Sequence, residues 1–420
     1  MTPYAYSQGT LHVEEVPLAE IAAAYGTPAY VYSGGGIRHA CRAIEASFEG
    51  IPHQTCYAVK ANANREILRM IAAEGLGADV GSGGELELAL QAGFPPETIT
   101  FSGVGKRDEE IRAALLTGVH AFNVESEQEC EVISQHAASL GKRARILARV
   151  NLDIDAGGHA YVSTSRSQNK FGIPRTRVAE MLLWARSLPG VELGGIHSHI
   201  GSQITDREVF LRSARSLAEL VAELRCRDLR IEELDFGGGF GIRYRGAITH
   251  RQLPEEDPEV SEENPASMIR EVLPILGATG CRLSLQPGRA IVGESGILLV
   301  RVLYRKETGE KTFIIVDGGM NDLIRPSLYG AHHQIVPVAL DDRPHETVDV
   351  VGPVCESGDF FAQDRRLPIT HRGDVLAVMC AGAYGFVLSS TYNARPRVSE
   401  ILIEGASHRE IRSREGLHDL

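Results

Sequence analysis

Lys60 stands directly after a strand-like segment, at a position where its amine could do covalent chemistry. The segment 54–59 reads QTCYAV and continues into KANAN, so small and polar residues surround the lysine. An amine in such a place can form an imine with a carbonyl group when burial keeps it neutral. The alternative interpretation is a solvated lysine at a strand end, and Lys60 considered alone favours that alternative.

Two histidines follow another strand-like segment, in IHSHIGSQI. His197 and His199 would emerge there with Ser202, at the same edge as Lys60. A flat imidazole can cover an aromatic cofactor ring, whereas two histidines spaced this way can also begin a metal site. No carboxylate or thiolate with the usual spacing supplies a third ligand. The cofactor interpretation is therefore favoured, and no metal is expected.

A glycine run and a Pro-Gly-Arg sequence follow the last two strand-like segments. Gly237 to Gly239 in DFGGGFG would let backbone N–H groups approach an anion closely, although a glycine run can also be a plain tight turn. LQPGR places Gln286, Gly288 and Arg289 beside that run if the segments are neighbours. No strand-GxGxxG-helix or GxxxxGK motif of nucleotide-binding proteins is present. The sequence therefore predicts a phosphate site of a different kind.

Eight strand-like segments alternate with helix-like ones over most of the chain. The apolar or β-branched candidate strands lie near 54–59, 76–80, 98–102, 119–123, 145–151, 193–198, 231–236 and 281–285. Helical periodicity marks 63–74, 83–92, 107–117, 125–140, 174–187, 206–225 and 264–279. The alternation predicts an α/β fold with a parallel sheet. Eight such units predict a closed (β/α)8 TIM-like barrel, with functional residues at the C-terminal ends of the strands.

The chain after residue 290 has a different pattern. Runs such as GILLVRVLYRKE, TFIIVDGG and DVLAVMCAGA are separated by turns and lack helical spacing, which predicts a mainly β domain. The early segments HVEEVPL and PAYVYS are expected to join its sheet. We therefore expect a cofactor-binding barrel domain over 30–289 and a β-rich second domain from 1–29 and 290–420. The acidic stretch 254–265 is expected to be an exposed loop of the barrel half.

Composition excludes several classes of protein. The chain has 420 residues, of which 43% are hydrophobic, and a formal net charge of -12, which argues against binding to nucleic acid or to an anionic membrane surface. No apolar run approaches the ~20 residues of a membrane span, and the first ten residues lack the pattern of a signal peptide. The 7 cysteines are scattered without a Cys-x-x-Cys pair, as expected for reduced thiols. These features predict a cytoplasmic protein.

Together the motifs resemble those of the diaminopimelate decarboxylases, which belong to the fold-type III pyridoxal-phosphate enzymes with an alanine racemase-like fold. YAVKAN, HSHIGSQ, DFGGGFG and PGR occur in the family's order, followed by VDGGMNDLIRPSLYGAHH, GPVCESGD and GAYG. STSRSQNKFGI also resembles a family segment. The resemblance covers nearly the whole chain, and the ordered set is more specific than any single motif. It implies decarboxylation of meso-2,6-diaminopimelate to L-lysine and CO2 with pyridoxal 5'-phosphate, the last step of lysine biosynthesis.

The resemblance also implies how the cofactor is held. Lys60 would be its Schiff-base lysine, and His199 would stack on its ring. The remaining residues implied in cofactor binding, through the phosphate, the ring or both, are Ser202, Gly239, Gln286, Pro287, Gly288, Arg289 and Tyr384.

Substrate roles are implied for a second set of residues. Arg289, Arg325 and Tyr329 would bind the distal carboxylate of the substrate, for which guanidinium geometry is suited. Glu356 would hold the distal ammonium group, and Tyr384 would contact both substrate and cofactor. Cys355 would donate a proton after CO2 leaves. In the family the CES motif reaches the site of the partner subunit, so the resemblance implies a homodimer with shared active sites.

Gln286 departs from the family pattern, which usually has Glu at this position to keep the ring nitrogen protonated. A neutral amide cannot supply the same charge stabilisation. Our hypothesis is that Gln286 either weakens the electron sink or is offset by another group. A Gln286→Glu variant with unchanged rate and cofactor spectrum would exclude the first option.

Three other functions stay open from the sequence. A related decarboxylase could act on ornithine, arginine or a carboxylated polyamine, although the CES, IRPSLYG and PGR sequences disfavour this. An amino-acid racemase on the same fold is made more credible by Gln286. A protein that binds the cofactor without catalysis would need only Lys60 and the phosphate site, and a purely structural barrel is the least favoured interpretation. Fold by itself would not decide between them.

Overall fold

The computed structural model describes residues 3–155, 170–254 and 264–420. The described residues divide into two units. One, called here the barrel unit, lies within Cys41–Gly241 and Ser261–Ala290; the other, called the sheet unit, lies within Met1–Ala40, Ile242–Val260 and Ile291–Leu420. Most of the STSRSQNKFGI segment (163–169) and of the acidic stretch (255–263) lie outside the described residues.

The secondary structure elements are numbered in chain order. The strands are β1 Tyr4–Ser7, β2 Thr10–Val13, β3 Val16–Pro17, β4 Ala29–Ser33, β5 His53–Ala58, β6 Gly77–Val80, β7 Ile99–Phe101, β8 Ala121–Val124, β9 Ala144–Asn151, β10 Ile173–Pro174, β11 Val191–His197, β12 Glu233–Asp235, β13 Arg282–Leu285, β14 Gly296–Glu307, β15 Thr312–Val316, β16 Ile335–Pro337, β17 His345–Val351, β18 Phe360–Pro368, β19 Val375–Val378, β20 Ser399–Glu404 and β21 Ser407–Arg412. The α-helices are α1 Leu18–Tyr25, α2 Gly34–Glu45, α3 Arg65–Ala73, α4 Gly83–Ala92, α5 Asp108–Thr117, α6 Glu127–Ser139, α7 Arg175–Ala185, α8 Arg207–Cys226, α9 Pro265–Gly277, α10 Arg289–Val292 and α11 Arg325–Tyr329.

The barrel unit is a closed parallel barrel of eight strands. Its strands pair in the order β5-β6-β7-β8-β9-β11-β12-β13, and β13 pairs with β5 to close the ring. The short strand β10 adds to β9 outside this ring. Each predicted strand and helix of this half overlaps an observed one, so the predicted (β/α)8 barrel is confirmed.

Local sequence explains where the barrel helices begin. Side-chain oxygens accept a hydrogen bond from a backbone N–H of the first turn in five of them, which satisfies donors that the helix itself leaves unpaired. The capping residues are Asn64 for α3, Ser82 for α4, Ser126 for α6, Asp206 for α8 and Asn264 for α9. Between these caps and the following strands, apolar residues at helical spacing face the barrel, as in α8, where Val209, Phe210, Leu217 and Leu224 are buried.

The sheet unit is built around a mainly antiparallel sheet in the order β18-β17-β15-β14-β4-β20-β21, with β19 and β16 branching from β14. The predicted mainly β character is confirmed. PAYVYS joins this sheet as β4, as predicted. HVEEVPL does not: its strands β2 and β3 form a separate three-stranded sheet with β1. That prediction was wrong because β1 offers β2 an adjacent antiparallel partner through a short turn.

The unit boundaries differ from those expected from the sequence at two places. Residues 30–40 belong to the sheet unit, beginning with the part of β4 that ends at Ser33. The segment that follows Gly241 also belongs to the sheet unit, because its apolar side chains are buried in that unit's core. These side chains are Ile242, Tyr244, Ile248 and Leu253.

Candidate active site

The four motifs of the barrel unit follow four strands that are neighbours in the ring. Lys60 follows β5, the histidine motif follows β11, the glycine run follows β12, and Gln286 follows β13. The strands pair in the order β11-β12-β13-β5, and all of these pairs are parallel. The C-terminal ends of neighbouring parallel strands meet at one edge, which is where a barrel of this type carries its functional residues. The structure therefore brings all four motifs to one side of the barrel mouth.

Lys60 lies in a single 3-10 turn, Val59–Ala61, directly after β5. The residues on either side of it are buried, whereas the lysine side chain is exposed, so its amine is accessible. The Pro-Gly pair after β13 holds this turn: the Pro287 carbonyl accepts a hydrogen bond from Ala58 N at 3.0 Å. A Cβ at Gly288 would lie 2.9 Å from Ala61 Cβ, so glycine is needed for this close contact.

His197 is buried without a hydrogen bond to either ring nitrogen among the described residues. Burial lowers its pKa well below the ordinary value, and the positive charges of Arg149 and Lys60 lower it further. The Gln286 amide acts to raise the pKa of His197, although it makes no hydrogen bond of normal geometry with the ring. His197 is thus a neutral imidazole, and a buried polar ring of this kind is a feature typical of a functional site.

His199 is partly buried and is oriented by the glycine run. The Gly238 N–H donates a hydrogen bond to its Nδ1 at 3.2 Å, so the ring proton is assigned to Nε2. Burial lowers the pKa of His199 well below its ordinary value, with the charges of Lys60 and Arg149 acting in the same direction. The arrangement presents a neutral, oriented ring beside Lys60.

The glycine run forms a close backbone cradle. Gly237 and Gly239 have φ angles of 72° and 97°, in the region that side chains disfavour. A Cβ at Gly237 would lie 2.4 Å from Ser198 O, one at Gly238 2.2 Å from Gln286 O, and one at Gly239 2.5 Å from Gly201 O. No other residue type fits at these three positions. Such a concave run of backbone is suited to an anion.

A positive charge completes this cradle. Arg289 is buried, and its guanidinium donates a hydrogen bond to Ser202 Oγ at 3.0 Å. The hydroxyl of Ser202 therefore belongs to the same group as the glycine run and the start of α10. The phosphate and the aldehyde-derived carbon of a pyridoxal cofactor need an anion cradle and an accessible lysine amine at one barrel mouth, and these residues fit that requirement.

A chain of buried polar side chains crosses the interior of the barrel at this end. Ser102 Oγ donates to Asp79 Oδ1 at 2.5 Å and accepts from Asn123 Nδ2 at 3.0 Å. Asn123 Nδ2 also lies 3.5 Å from Asp235 Oδ2, which accepts from Gln286 Nε2 at 2.9 Å. Burial raises the pKa of both acids, that of Asp235 to about 8.

Arg149 provides a second buried cation beside the histidines. Its guanidinium donates to Glu125 Oε1 at 2.7 Å and lies 4.7 Å from the centre of the Phe171 ring. Sequence reasoning missed Arg149, Asp79, Asn123 and Asp235. The signal that could have found them is position, because each is a polar residue in or at the end of a segment that was identified as a barrel strand.

The other predicted residues belong to the sheet unit. Arg325 begins α11 and is buried, with Nη1 2.8 Å from His333 Nε2 and its guanidinium 4.6 Å from the centre of the Tyr244 ring. Tyr329 ends the same helix and is partly buried. Tyr384 is also partly buried and has a φ angle of 55°, a left-handed conformation that is uncommon outside glycine.

The loop that carries Cys355 and Glu356 is exposed at its tip and braced at its base. Both residues are exposed, and Glu356 Oε2 accepts a hydrogen bond from the Tyr392 hydroxyl at 2.8 Å. Asp359 holds the base: its carboxylate accepts from Met320 N and from Val354 N, each at 2.6 Å. Ser327 of α11 donates to the Gly358 carbonyl at 2.5 Å, so α11 and this loop are tied together.

Within 3–155, 170–254 and 264–420, no group of three or more His, Cys, Asp or Glu side chains is arranged to hold a metal ion. Over the same ranges, no helix has the length and apolar character that crossing a membrane requires.

Comparison with known proteins identifies the family. Residues 35–293 match the family described as "Pyridoxal-dependent decarboxylase, pyridoxal binding domain". The diaminopimelate decarboxylase of Aquifex aeolicus (strain VF5) is 43% identical over 98% of this chain and 95% of its own length. That of Pseudomonas aeruginosa is 44% identical over 100% of this chain and 98% of its own.

Solved structures give the same answer. The diaminopimelate decarboxylase of Helicobacter pylori, in complex with L-lysine, is 39% identical with a TM-score of 0.89, covering 96% of this chain and 98% of that one. The enzyme of M. jannaschii, also with L-lysine, is 33% identical with a TM-score of 0.90, covering 99% and 96%. The chain therefore belongs to the diaminopimelate decarboxylase family of pyridoxal-dependent decarboxylases.

Proposed function

We propose that this protein is a pyridoxal-phosphate-dependent carboxy-lyase that converts meso-2,6-diaminopimelate to L-lysine and CO2, the last step of lysine biosynthesis. The observation that carries the proposal is the full-length similarity to diaminopimelate decarboxylases, two of them solved with L-lysine bound. The barrel mouth adds chemical support, since it combines an accessible lysine, a neutral histidine and an anion cradle.

The cofactor, when bound, supplies an electron sink for the pair left behind by CO2. Lys60 is the residue that attaches it. His199 would cover its ring, and the neutral state of this histidine would avoid placing a positive charge on that face. Ser202, Gly239 and the backbone of residues 286–289 hold the phosphate, with Arg289 as the nearby cation. Gln286 and Tyr384 complete the set of cofactor contacts that we propose.

Recognition of the substrate depends on its distal end, which carries an ammonium group and a carboxylate. Arg289, Arg325 and Tyr329 bind the carboxylate in this proposal, and Glu356 binds the ammonium group. Ornithine and arginine lack a distal carboxylate, so they do not offer the group that Arg325 and Tyr329 bind in this proposal, and this disfavours them as substrates.

Cys355 is proposed to donate the proton of its Sγ to the substrate carbon that has lost CO2. One C–C bond breaks, CO2 leaves without its electron pair, and the new C–H bond uses that pair and the Cys355 proton. The thiol must then be reprotonated from solvent, and the exposure of Cys355 is compatible with this.

We further propose that the enzyme acts as a cytoplasmic homodimer with shared active sites. Cys355 and Glu356 are both exposed at the tip of their loop, which supports their donation to the site of a second copy. All 7 cysteines are free, in keeping with a reducing compartment. The net charge of -12 supports neither nucleic acid nor an anionic membrane surface as a partner.

The decisive experiment is CO2 release from meso-diaminopimelate by purified protein with added pyridoxal phosphate. L-ornithine and L-arginine run in parallel, and the variants are Lys60→Ala and, as a matched control at an exposed strand residue, Lys306→Ala. Release from diaminopimelate alone, lost in Lys60→Ala and kept in Lys306→Ala, supports the proposal. Racemisation of an amino acid without CO2 release would identify the protein as a racemase. Lys60-dependent cofactor absorbance without turnover of any substrate would identify a non-catalytic binder.

Subunit complementation tests the shared site. Lys60→Ala and Cys355→Ala remove residues that the proposal assigns to opposite chains of one site. When the two inactive variants are mixed and allowed to exchange subunits, half of the dimers carry one intact site, which gives about a quarter of the wild-type activity. No recovery in a mixture that demonstrably forms mixed dimers would contradict the shared site.

A further inference from the structure

Gln286 is held in one orientation by Asp235. Both side chains are buried, with relative exposures of 7% and 1%, and Gln286 Nε2 lies 2.9 Å from Asp235 Oδ2. Burial removes the competition from water, and the bond becomes stronger when Asp235 is ionised, because a hydrogen bond to a carboxylate is stronger than one between neutral groups. The amide therefore presents its N–H to Asp235 and keeps its carbonyl oxygen as the remaining polar atom.

Asp235 is itself fixed in the barrel. Its Oδ1 accepts from Gly237 N at 2.8 Å, at the start of the glycine run. Its other oxygen lies 3.5 Å from Asn123 Nδ2, the link to Ser102 and Asp79. The carboxylate is thus anchored by the turn after its own strand and by Asn123 of β8, as well as through Gln286, and it can act as a positioning group.

The charge of Asp235 is poised to respond to a nearby cation. Burial raises its pKa to about 8, and the neighbouring acids Asp79 and Glu233 add to this effect. A cation on the far side of the Gln286 amide would lower that pKa, and by linkage the ionised carboxylate would stabilise the cation. Other titratable or charged groups that act on these acids or on the histidines are Lys60, Lys106, Arg149, His197, His199 and the Cys56 thiol.

We propose that Asp235 is the positioning residue for Gln286 and that, through this amide, its carboxylate stabilises the protonated ring nitrogen of the bound cofactor. The proposal rests on the proposed function. It identifies Asp235 as the group that offsets the replacement of the family's glutamate by Gln286. An amide whose N–H is bound to a carboxylate is polarised, so its oxygen becomes a better acceptor for an N–H group. The charge lies one hydrogen bond further from the ring than a glutamate at position 286 would place it. Its effect is therefore smaller than that of a direct carboxylate, because Coulomb energy falls with distance.

The test measures the ring nitrogen directly. Holoenzyme is reconstituted with pyridoxal phosphate labelled with 15N in the ring, and the ring-nitrogen chemical shift is followed by NMR as the pH is varied. In Asp235→Asn we expect the ring nitrogen to lose its proton about one to two pH units lower than in the wild type. Adding Gln286→Glu to Asp235→Asn should restore the protonated nitrogen, because the new carboxylate faces the ring itself.

Two further variants keep the test decisive. Gln286→Met breaks the connection without removing the Asp235 carboxylate, and it should lower the ring-nitrogen pKa in the same way. Glu233→Gln removes a buried carboxylate two residues away on the same strand that does not contact Gln286. It acts on the ring nitrogen only at a distance, so it should change the ring-nitrogen pKa much less than Asp235→Asn does. The proposal would be overturned if the ring nitrogen had the same pKa in the wild type and in Gln286→Met. It would also be overturned if Glu233→Gln lowered that pKa as much as Asp235→Asn does.

The outcome is separable from that of the proposed function. CO2 release from diaminopimelate by the wild type tests the activity, whereas the ring-nitrogen titration tests only Asp235. An active wild type whose ring nitrogen is insensitive to Asp235 would refute this inference and leave the activity standing. If Asp235→Asn shifts the ring-nitrogen pKa but the wild type releases no CO2, the inference about Asp235 stands and the proposed activity is refuted.

Discussion

Glu233 and Asp235 lie two residues apart on β12, and both are buried, yet the pKa values of their carboxyl groups move in opposite directions. Burial raises both, but hydrogen bonds from His120 and Ser284, with the charge of Arg145, hold the pKa of Glu233 at about 2. Asp235 accepts from the Gly237 backbone and lies near two other acids, so its pKa rises to about 8. One strand therefore carries an acid that is stable as an anion and another that is stable with its proton.

Asp235 should make the stability of the cofactor-free protein fall as the pH rises. Between about pH 4 and pH 8 the folded state keeps a proton on Asp235 that the unfolded chain has lost, so the free energy of unfolding decreases across this range. Asp235→Asn removes that slope. Urea unfolding at about pH 5 and about pH 8 should show the variant gaining stability relative to the wild type at the higher pH. If the variant and the wild type differed in stability by the same amount at both pH values, the raised pKa of Asp235 would be contradicted.

Glu233 should have the opposite effect. Its contribution is fully present above its unfolded pKa of about 4.5 and is lost as the pH falls towards about 2, because the unfolded chain takes up the proton first. Glu233→Gln should therefore be most destabilised, relative to the wild type, at about pH 6 and least at about pH 3. The measurement is again urea unfolding. A loss of stability in Glu233→Gln that became larger as the pH fell would contradict the lowered pKa of Glu233.

Gly239→Ala should weaken cofactor binding. The left-handed φ angle of 97° and the close Gly201 carbonyl leave no room for a Cβ, so the cradle must shift. We expect the Kd for pyridoxal phosphate to rise about tenfold or more. Gly105→Ala is the control, because a Cβ there meets nothing within 4 Å. Equilibrium titration of cofactor absorbance measures both, and equal affinities in the two variants would argue against the cradle.

Tyr392→Phe should impair substrate binding more than turnover. It removes the hydrogen bond that orients Glu356, the residue proposed to bind the distal ammonium group. We expect KM for diaminopimelate to rise about three- to tenfold with kcat nearly unchanged. Tyr304→Phe makes the same change at a tyrosine that is also exposed, 56% against 45%, and should have no effect. A lower kcat with unchanged KM would assign Tyr392 a different role.

Arg325→Lys should also raise KM. The guanidinium contacts His333 and lies over Tyr244 at the same time, and an ammonium group cannot reproduce this planar arrangement. We expect about a tenfold or larger increase in KM for diaminopimelate. Arg366→Lys, at an exposed residue of β18, is the matched control. Equal KM values in both variants would remove Arg325 from the substrate site.

The barrel could be predicted from the sequence because its signals are local. Each strand and helix shows its own hydrophobic period, and capping residues such as Ser82 and Asp206 mark where helices begin. The motifs after β5, β11, β12 and β13 could also be assigned to one edge, since parallel strands place their ends together.

The remaining parts of the fold and site depend on contacts distant in sequence. Asp79 looks like a single polar interruption in an apolar strand, and Asp235 is one of three acids in the segment 231–236. Their connection through Ser102 and Asn123 exists only once the barrel has closed. The segment from Ile242 leaves the barrel unit because its side chains fill a core made of residues from both ends of the chain. No local pattern carries that information.

The position of β4 has a consequence for how the protein is synthesised. Its residues 29–33 pair with β14 on one side and, in parallel, with β20 at residues 399–403 on the other. The strand leaves the ribosome early, but its second partner emerges tens of seconds later at usual rates of elongation. The nascent chain therefore carries an unpaired apolar strand throughout translation of the barrel, and a chain that stops before residue 399 never covers it. Truncated products should aggregate or recruit chaperones even when their barrel is complete.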